Sequence, residues 1–272
     1  MAPSVQIHSP MDEQLTERCT VVIRELMKLK AATLFLEPVD WKKDGLPDYP
    51  KWVKEPMDLG TVQKLLASSH YDRLESFAND VRRVWKAAFL FNPHTNSVPF
   101  KQAKTMFDAF EKKFEELERS CLVGERLIDT MDACHLLSAD LLRNPLSEWF
   151  LEPVPIEEGT EDYAQVICEP KDLLSIHRKL SRRHYTSPDD FARDVRLVWQ
   201  NAITYNSLGM YIGQIAALLG QIFDRRLAQL VRLGSPTVSV QITQRHGYPV
   251  AAQRRSLFNA CQRLKLEQVR RL

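Results

Sequence analysis

Residues 35–60 read FLEPVDWKKDGLPDYPKWVKEPMDLG, and residues 150–174 read FLEPVPIEEGTEDYAQVICEPKDLL. Both stretches open with the same FLEPV run, 115 residues apart, and after a one-residue deletion the offset becomes 114. The new offset then persists, because Tyr71 recurs as Tyr185, Trp85 as Trp199 and Asn92 as Asn206. A period this long indicates two duplicated domains, since solenoid repeats span only about 20–50 residues.

Both copies have the apolar spacing of helices, and no segment alternates as a strand does. In the first copy, stripes of apolar residues begin at Leu15, Phe77 and Ala103, and a shorter helix is predicted near Asp58. The pairs Ser9-Pro10 and Ser187-Pro188 predict helix starts, with serine as the cap and proline in the first turn. The sequence therefore predicts an all-α fold, with two tandem left-handed antiparallel four-helix bundles and a partly helical C-terminal tail.

A long segment rich in proline and aromatic residues separates the first two main helices of each copy. Loops of such length inside a compact domain are usually functional. We expect this segment to bury its apolar residues and to form one wall of a pocket at an end of the bundle. In the first copy those residues are Phe35, Pro38, Val39, Trp41, Leu46, Tyr49 and Trp52.

Composition narrows the class of protein. The chain has 272 residues, with 37 basic and 35 acidic side chains, so the basic excess of a nucleic-acid-binding protein is absent over the whole chain. Its five cysteines are scattered, which is typical of reduced thiols in an intracellular protein. No apolar run is long enough to span a bilayer, so no membrane contact is predicted. The predicted divisions are 1–11, 12–120, 122–232 and a basic tail at 234–272.

The sequence resembles the bromodomain family twice over. The resemblance rests on the F-x-x-P-V start of the long loop, Pro47-Asp48-Tyr49, the Glu-Pro-Met-Asp-Leu run at 55–59 and the Asp-Val-Arg run at 80–82. It also rests on an aromatic-Asn pair at the end of the third main helix, Phe91-Asn92 and Tyr205-Asn206. It covers roughly 12–120 and 122–232. A tandem pair with so short a linker is also similar to bromodomain factors of unicellular parasites.

The resemblance implies two sites that recognise acetylated lysine. The family's asparagine, which donates a hydrogen bond to the acetyl carbonyl, corresponds to Asn92 and Asn206. The tyrosine that reaches this carbonyl through a water corresponds to Tyr49 and Tyr163. The remaining lining residues are Phe35, Pro38, Val39, Leu46, Phe91 and Val98 in the first copy, and Phe150, Pro153, Val154, Tyr205 and Ile212 in the second.

This assignment implies a non-catalytic reader of acetylated histone tails or other acetylated nuclear proteins, located in the nucleus among the subunits of a chromatin-associated complex. It needs no cofactor and no metal. Acetylation leaves a neutral amide on an apolar stem, which suits a narrow apolar pocket with one polar contact. An alternative is a structural scaffold of a nuclear complex whose pockets have degenerated. An enzyme is disfavoured, because no set of catalytic or metal-binding residues stands out.

Three further features lead to expectations of their own. In the second copy, Lys171 replaces Met57 and Thr160 replaces Leu46, which weakens the case for its pocket. Few residues separate the copies, so we expect their adjoining helices to run almost continuously and the domains not to tumble independently. Residues 245–272 carry a net charge of +6, from seven Arg or Lys and one Glu. We interpret this tail either as an exposed helix that leans on the second copy or as a weak contact for nucleic acid or an acidic partner.

Overall fold

The structure is a computed structural model that describes residues 11–122, 130–155, 160 and 162–234. Residues 12–122 form the first module and residues 130–234 the second. The first module contains α1 (Glu13–Met27), α2 (Tyr49–Trp52), α3 (Leu59–Ala67), α4 (Leu74–Phe91) and α5 (Val98–Leu122). The second contains α6 (Thr130–Arg143), α7 (Tyr163–Val166), α8 (Leu173–Ser181), α9 (Pro188–Asn206) and α10 (Tyr211–Gly234). The described residues include no strand, and the predicted all-α fold of two four-helix bundles is confirmed.

Polar side chains fix where the main helices begin. The Asp58 carboxylate accepts a hydrogen bond from the Thr61 amide at 2.9 Å, and Asp172 accepts one from the Ser175 amide at 2.7 Å. Helix α9 begins as predicted, with Ser187 as its cap and proline in its first turn. The start predicted at Ser9-Pro10 is wrong, because α1 begins at Glu13 with Asp12 as its cap.

The apolar stripes pack into the bundle cores. Trp85 and Trp199 lie at equivalent positions of α4 and α9, and both are fully buried. Toward the start of each long helix, the Tyr71 hydroxyl donates to the Asp80 carboxylate at 3.0 Å, and the Tyr185 hydroxyl donates to the Asp194 carboxylate at 2.7 Å. These bonds satisfy two buried carboxylates and tie the start of each long helix to the segment before it.

The long loops contain short helices that the sequence pattern did not predict. A 3₁₀ helix covers Lys30–Phe35 in the first module and Pro145–Phe150 in the second, and α2 and α7 lie further along the loops. Each loop is also anchored to the helix after it: the Gly60 amide donates to the Leu36 carbonyl, and the Leu174 amide donates to the Leu151 carbonyl. The expectation that every apolar loop residue is buried is wrong at Trp52, which is 62% exposed.

The two modules contact each other along α4 and α5 of the first and the 3₁₀ helix and α10 of the second. Lys86 pairs with Glu148, and its ammonium lies 5.6 Å from the centre of the Trp149 ring. In α10, Arg225 pairs with Glu115 at 2.7 Å. We call this surface the module interface. It supports the expectation that the modules do not tumble independently, although the linker at 123–129 lies outside the described residues.

Charged groups are buried close to the module interface. Arg82 binds Glu111 through two hydrogen bonds of 2.8 and 2.9 Å, and both side chains are almost fully buried. Arg226 of the second module bridges Glu118 of the first and Asp140 of the second. Burial raises the pKa of Glu118 to about 7, because removal from water disfavours the carboxylate, while the attraction of Arg226 opposes this shift.

Candidate functional site

A small apolar cluster, separate from the main core, lies where the long loop of the first module meets α4. Tyr49, Val53 and Ala87 are its buried members, and Val39, Trp41, Leu46 and Phe91 pack around them. The Tyr49 and Phe91 rings meet edge to face, with their centres 5.1 Å apart. Four of the predicted site residues therefore come together here. Val53 and Ala87 were not predicted as site residues, because nothing in their spacing marks them.

Asn92 lies at the end of α4, beside this cluster. Its side-chain nitrogen donates to the Ala88 carbonyl at 3.0 Å, and the side chain is half-buried. The amide group has two hydrogens. The bond to Ala88 uses one, which fixes the orientation of the amide and leaves the other for a ligand. Burial also raises the pKa of Tyr49, because removal from water disfavours the phenolate.

The second module repeats this arrangement. The Tyr163 and Tyr205 rings meet edge to face with centres 5.0 Å apart, and the Asn206 side chain donates to the Ala202 carbonyl at 3.0 Å. Burial raises the pKa of Tyr163 as it does that of Tyr49. Two copies that differ at many positions thus share the same asparagine-to-carbonyl hydrogen bond and the same edge-to-face pair of aromatic rings.

The remaining predicted residues occupy different surroundings. Phe35 and Phe150 are buried edge-on against Trp85 and Trp199, with ring centres 5.3 and 5.2 Å apart, so they pack into the main core. Val39 and Val154 are half-buried. The two prolines, Pro38 and Pro153, are exposed.

The two sites differ most at the start of their last helix. Val98 is 64% exposed, whereas Ile212, the corresponding residue, is half-buried and packs on the core. The shorter connection before α10 brings its first turn close to the preceding loop. A Cβ atom at Gly213 would lie only 1.9 Å from the Ser207 carbonyl oxygen, so this approach requires glycine.

Hydrogen bonds also distinguish the second site. The Tyr205 hydroxyl, which Phe91 lacks, donates to Asp162 at 2.7 Å. Asn201, at the position of Ala87, donates to the Glu169 carbonyl at 2.8 Å.

Lys171, at the position of Met57, pairs with Glu169 at 3.0 Å. The Thr160 hydroxyl donates to the Pro155 carbonyl at 2.6 Å. These contacts hold the second loop by polar bonds where the first uses apolar packing.

The loops that follow the two asparagines contact each other across the module interface. His94, two residues after Asn92, forms an isolated antiparallel bridge with Met210, four residues after Asn206. The Thr95 hydroxyl donates to the Gly209 carbonyl at 3.3 Å. The two candidate sites therefore lie at the same edge of the paired modules, and their neighbouring loops are joined.

Comparison with known proteins fits this geometry. Residues 19–105 and 134–217 each match the bromodomain family model. The chain belongs to the bromodomain family. These ranges contain both asparagines and both long loops.

Individual relatives match one or both bromodomains. The SWR1 complex bromodomain subunit bdf1 of Schizosaccharomyces pombe is 25% identical over 265 residues, covering 76% of this chain and 46% of that protein. Bromodomain-containing factor 1 of Saccharomyces cerevisiae is 24% identical, covering 81% of this chain and 40% of that protein. The chain thus spans less than half the length of either relative. Among solved structures, the second bromodomain of Candida albicans Bdf1 is 37% identical, covering 38% of this chain and 99% of that one, with a TM-score of 0.36.

Two observations on the described residues concern metal binding and membrane-spanning helices. No group of three or more His, Cys, Asp or Glu side chains there is placed to hold a metal ion. Within the same residues, no helix is both long and apolar enough to cross a membrane. The basic tail lies outside the described residues, so its contact with nucleic acid stays a prediction.

Proposed function

We propose that this bromodomain pair reads acetylated lysine on histone tails or other chromatin proteins, and that it acts in the nucleus as a non-catalytic scaffold for chromatin targeting or transcription regulation. The observation that carries the proposal is repeated in both modules: an oriented asparagine amide directly follows, in the chain, an aromatic residue that packs on a buried tyrosine. The amide supplies a hydrogen-bond donor for the acetyl carbonyl. The surrounding apolar side chains suit the neutral stem of the acetylated side chain.

The same surroundings exclude unmodified lysine. At the first site its ammonium would enter a cluster of apolar and aromatic side chains that includes Tyr49. Burying an unpaired charge is far more costly than burying a neutral amide. Each pocket contacts few ligand atoms, so a single site is expected to bind with roughly tens of μM to mM affinity.

Asparagine-to-alanine variants of the whole chain test the proposal. In Asn92→Ala, binding of a singly acetylated peptide should be lost at the first site and kept at the second, and Asn206→Ala should have the opposite effect. Isothermal titration would follow the stoichiometry, and circular dichroism would check that the fold is intact. Asn201→Ala is a matched control on α9, since the first module has alanine at that position, and it should weaken binding far less.

The alternative, a scaffold with degenerate pockets, is favoured by one feature, the substitution of Lys171 for Met57. Lys171 is held by Glu169 and lies 3.7 Å from Asp194, so its charge is compensated. If acetylated peptides bind no better than unacetylated ones, and neither asparagine variant changes this, the scaffold hypothesis stands and the reader is excluded.

Salt should weaken peptide binding at the second pocket more than at the first. The loop at 36–55 has five acidic and four basic residues, a net charge of −1, whereas 151–169 has six acidic residues and no Lys or Arg, a net charge of −6. An acidic rim attracts a basic peptide, and screening weakens this attraction as the Debye length falls from about 10 Å at 0.1 M salt to about 3 Å at 1 M.

We therefore expect peptide affinity to fall more steeply with salt in Asn92→Ala, which reports the second pocket, than in Asn206→Ala, which reports the first. One acetylated peptide with several basic residues serves for both titrations. Equal slopes would mean that the acidic residues only keep the loop solvated.

A further inference from the structure

A basic cluster lies where α8 ends in the second module. It consists of Arg178, Lys179, Arg182, Arg183 and His184, which we call the basic patch. Four of these residues, together with Ser175, line a depression in the protein surface. Arg182, Arg183 and His184 are exposed, so the patch is open to solvent.

Most of the positive charge in the basic patch is uncompensated. Lys179 is the exception, because it pairs with Asp194 at 2.8 Å and lies over the Tyr185 ring. Among the residues that the structure describes, Arg178, Arg182 and Arg183 form no ion pair. The Arg178 guanidinium reaches only the Leu174 carbonyl, at 3.2 Å, and the Ser175 hydroxyl, at 3.4 Å. Three guanidinium groups are therefore available to an external anion.

The fold does not require these arginines. The corresponding helix α3 ends in the same way, and the backbone φ angle is 53° at Ser69 and 56° at Arg183. The first module has Ser68 and Ser69 at the positions of Arg182 and Arg183. Residues 64–70 carry one basic side chain apart from histidine, whereas residues 178–184 carry four. Since serine is sufficient to end the helix in the first module, the helix end does not account for the charge.

Guanidinium groups bind phosphate through paired hydrogen bonds, which gives them an advantage over other cations on a phosphate backbone. We propose that the basic patch binds the phosphate backbone of double-stranded DNA without reading its sequence. Of the acidic residues nearby on α9, Asp190 is paired with Arg193 at 2.6 Å and Asp194 with Lys179 at 2.8 Å. Asp189 is exposed and forms no ion pair among the described residues, so it offsets part of the positive charge.

The position of the basic patch allows it to act together with the candidate pocket. Helix α9 starts at Pro188, just after the patch in the chain, and ends at Asn206. At 1.5 Å per residue its two ends are about 27 Å apart. A peptide in the pocket and a DNA duplex on the patch would therefore not compete for the same surface. The DNA contact does not depend on the acetyl-lysine proposal.

The test is fluorescence anisotropy of the whole chain with a short fluorescein-labelled DNA duplex of mixed sequence, at several salt concentrations. The double variant Arg182→Ser with Arg183→Ser should lower the affinity about tenfold at low salt. It should also reduce the slope of log affinity against log salt by about 2, because each phosphate that an arginine neutralises adds close to 0.9 to that slope. The substitutions copy the first module, so the fold should be kept. Binding of acetylated peptide at the second pocket should be unchanged.

The matched control is Lys42→Ser with Lys43→Ser, which removes two adjacent exposed basic residues from the loop of the first module. It should change neither the DNA affinity nor the salt slope. Both variants keep the basic tail, so the tail contributes equally to each. Equal losses of affinity in the two variants, or an unchanged affinity in the arginine variant, would overturn the proposal. If the arginine variant binds an acidic peptide more weakly but binds DNA as before, the proposal is also overturned.

Discussion

A peptide with two acetylated lysines at a suitable spacing is expected to bind this chain about 10²- to 10⁴-fold more tightly than a peptide with one. The reason is the junction between the sites. The loop after Asn92 is bridged to the loop after Asn206 through His94 and Met210, and the module interface restricts rotation. Once one mark is bound, the second pocket therefore meets the other mark at a high effective concentration.

Isothermal titration with a series of diacetylated peptides of increasing separation would measure this gain. Affinity should pass through a maximum at one spacing, where one peptide binds per chain. Either Asn92→Ala or Asn206→Ala should reduce that peptide to single-site affinity. If singly acetylated peptides bind but no spacing gives a gain, the sites are real but do not act together. If no acetylated peptide binds, the proposed function itself fails.

Replacing Arg82 with alanine is expected to lower the free energy of unfolding by about 3–5 kcal/mol, because it leaves the Glu111 carboxylate buried without its partner. The matched control is Arg196, which occupies the same position in the second module. Arg196 pairs with Asp224 at 2.8 Å, but the two side chains are 43% and 45% exposed. Solvent screens this pair, so Arg196→Ala should cost less than about 1 kcal/mol.

Urea unfolding followed by tryptophan fluorescence and circular dichroism would compare the two variants. The double variant Arg82→Met with Glu111→Leu should recover most of the lost stability, since apolar residues of similar size can replace a buried ion pair at little cost. Similar destabilisation by Arg82→Ala and Arg196→Ala would show that burial does not determine how much the Arg82–Glu111 pair contributes to the free energy of unfolding.

The main helices could be predicted from the sequence because helical periodicity is a local property. Capping could be predicted only in part. Ser187 is a cap as predicted. The cap of α1 is Asp12, three residues after the predicted Ser9, and its carboxylate accepts a hydrogen bond from the Leu15 amide at 2.7 Å. The short helices α2 and α7 were missed because helices of one turn depend on tertiary contacts and carry little periodic signal.

The asparagine and tyrosine positions could be named from the resemblance to bromodomains, whose motifs the repeat presents twice in the same order, and their role in binding stays a prediction. The module interface could not be predicted from the sequence. Lys86 and Glu148 are 62 residues apart, and each has the appearance of an ordinary solvated charge in the sequence. The exposure of two apolar side chains could not be predicted either. Trp52 and Val98 are apolar residues that local pattern assigns to the interior, yet both are largely exposed.

The module interface joins unlike elements where α4 of the first module meets the 3₁₀ helix of the second, while the equivalent helices α5 and α10 meet each other. At the α4 contact the second module keeps its own α9 surface, and the first module keeps its own 3₁₀ helix, so this part of the interface is head-to-tail. The side chains on the leftover faces differ. Gln200 stands at the position of Lys86, while Thr33 and Leu34 stand at those of Glu148 and Trp149. A further module placed against these surfaces would find neither the ion pair nor the cation–π contact, so they do not favour the addition of a third module.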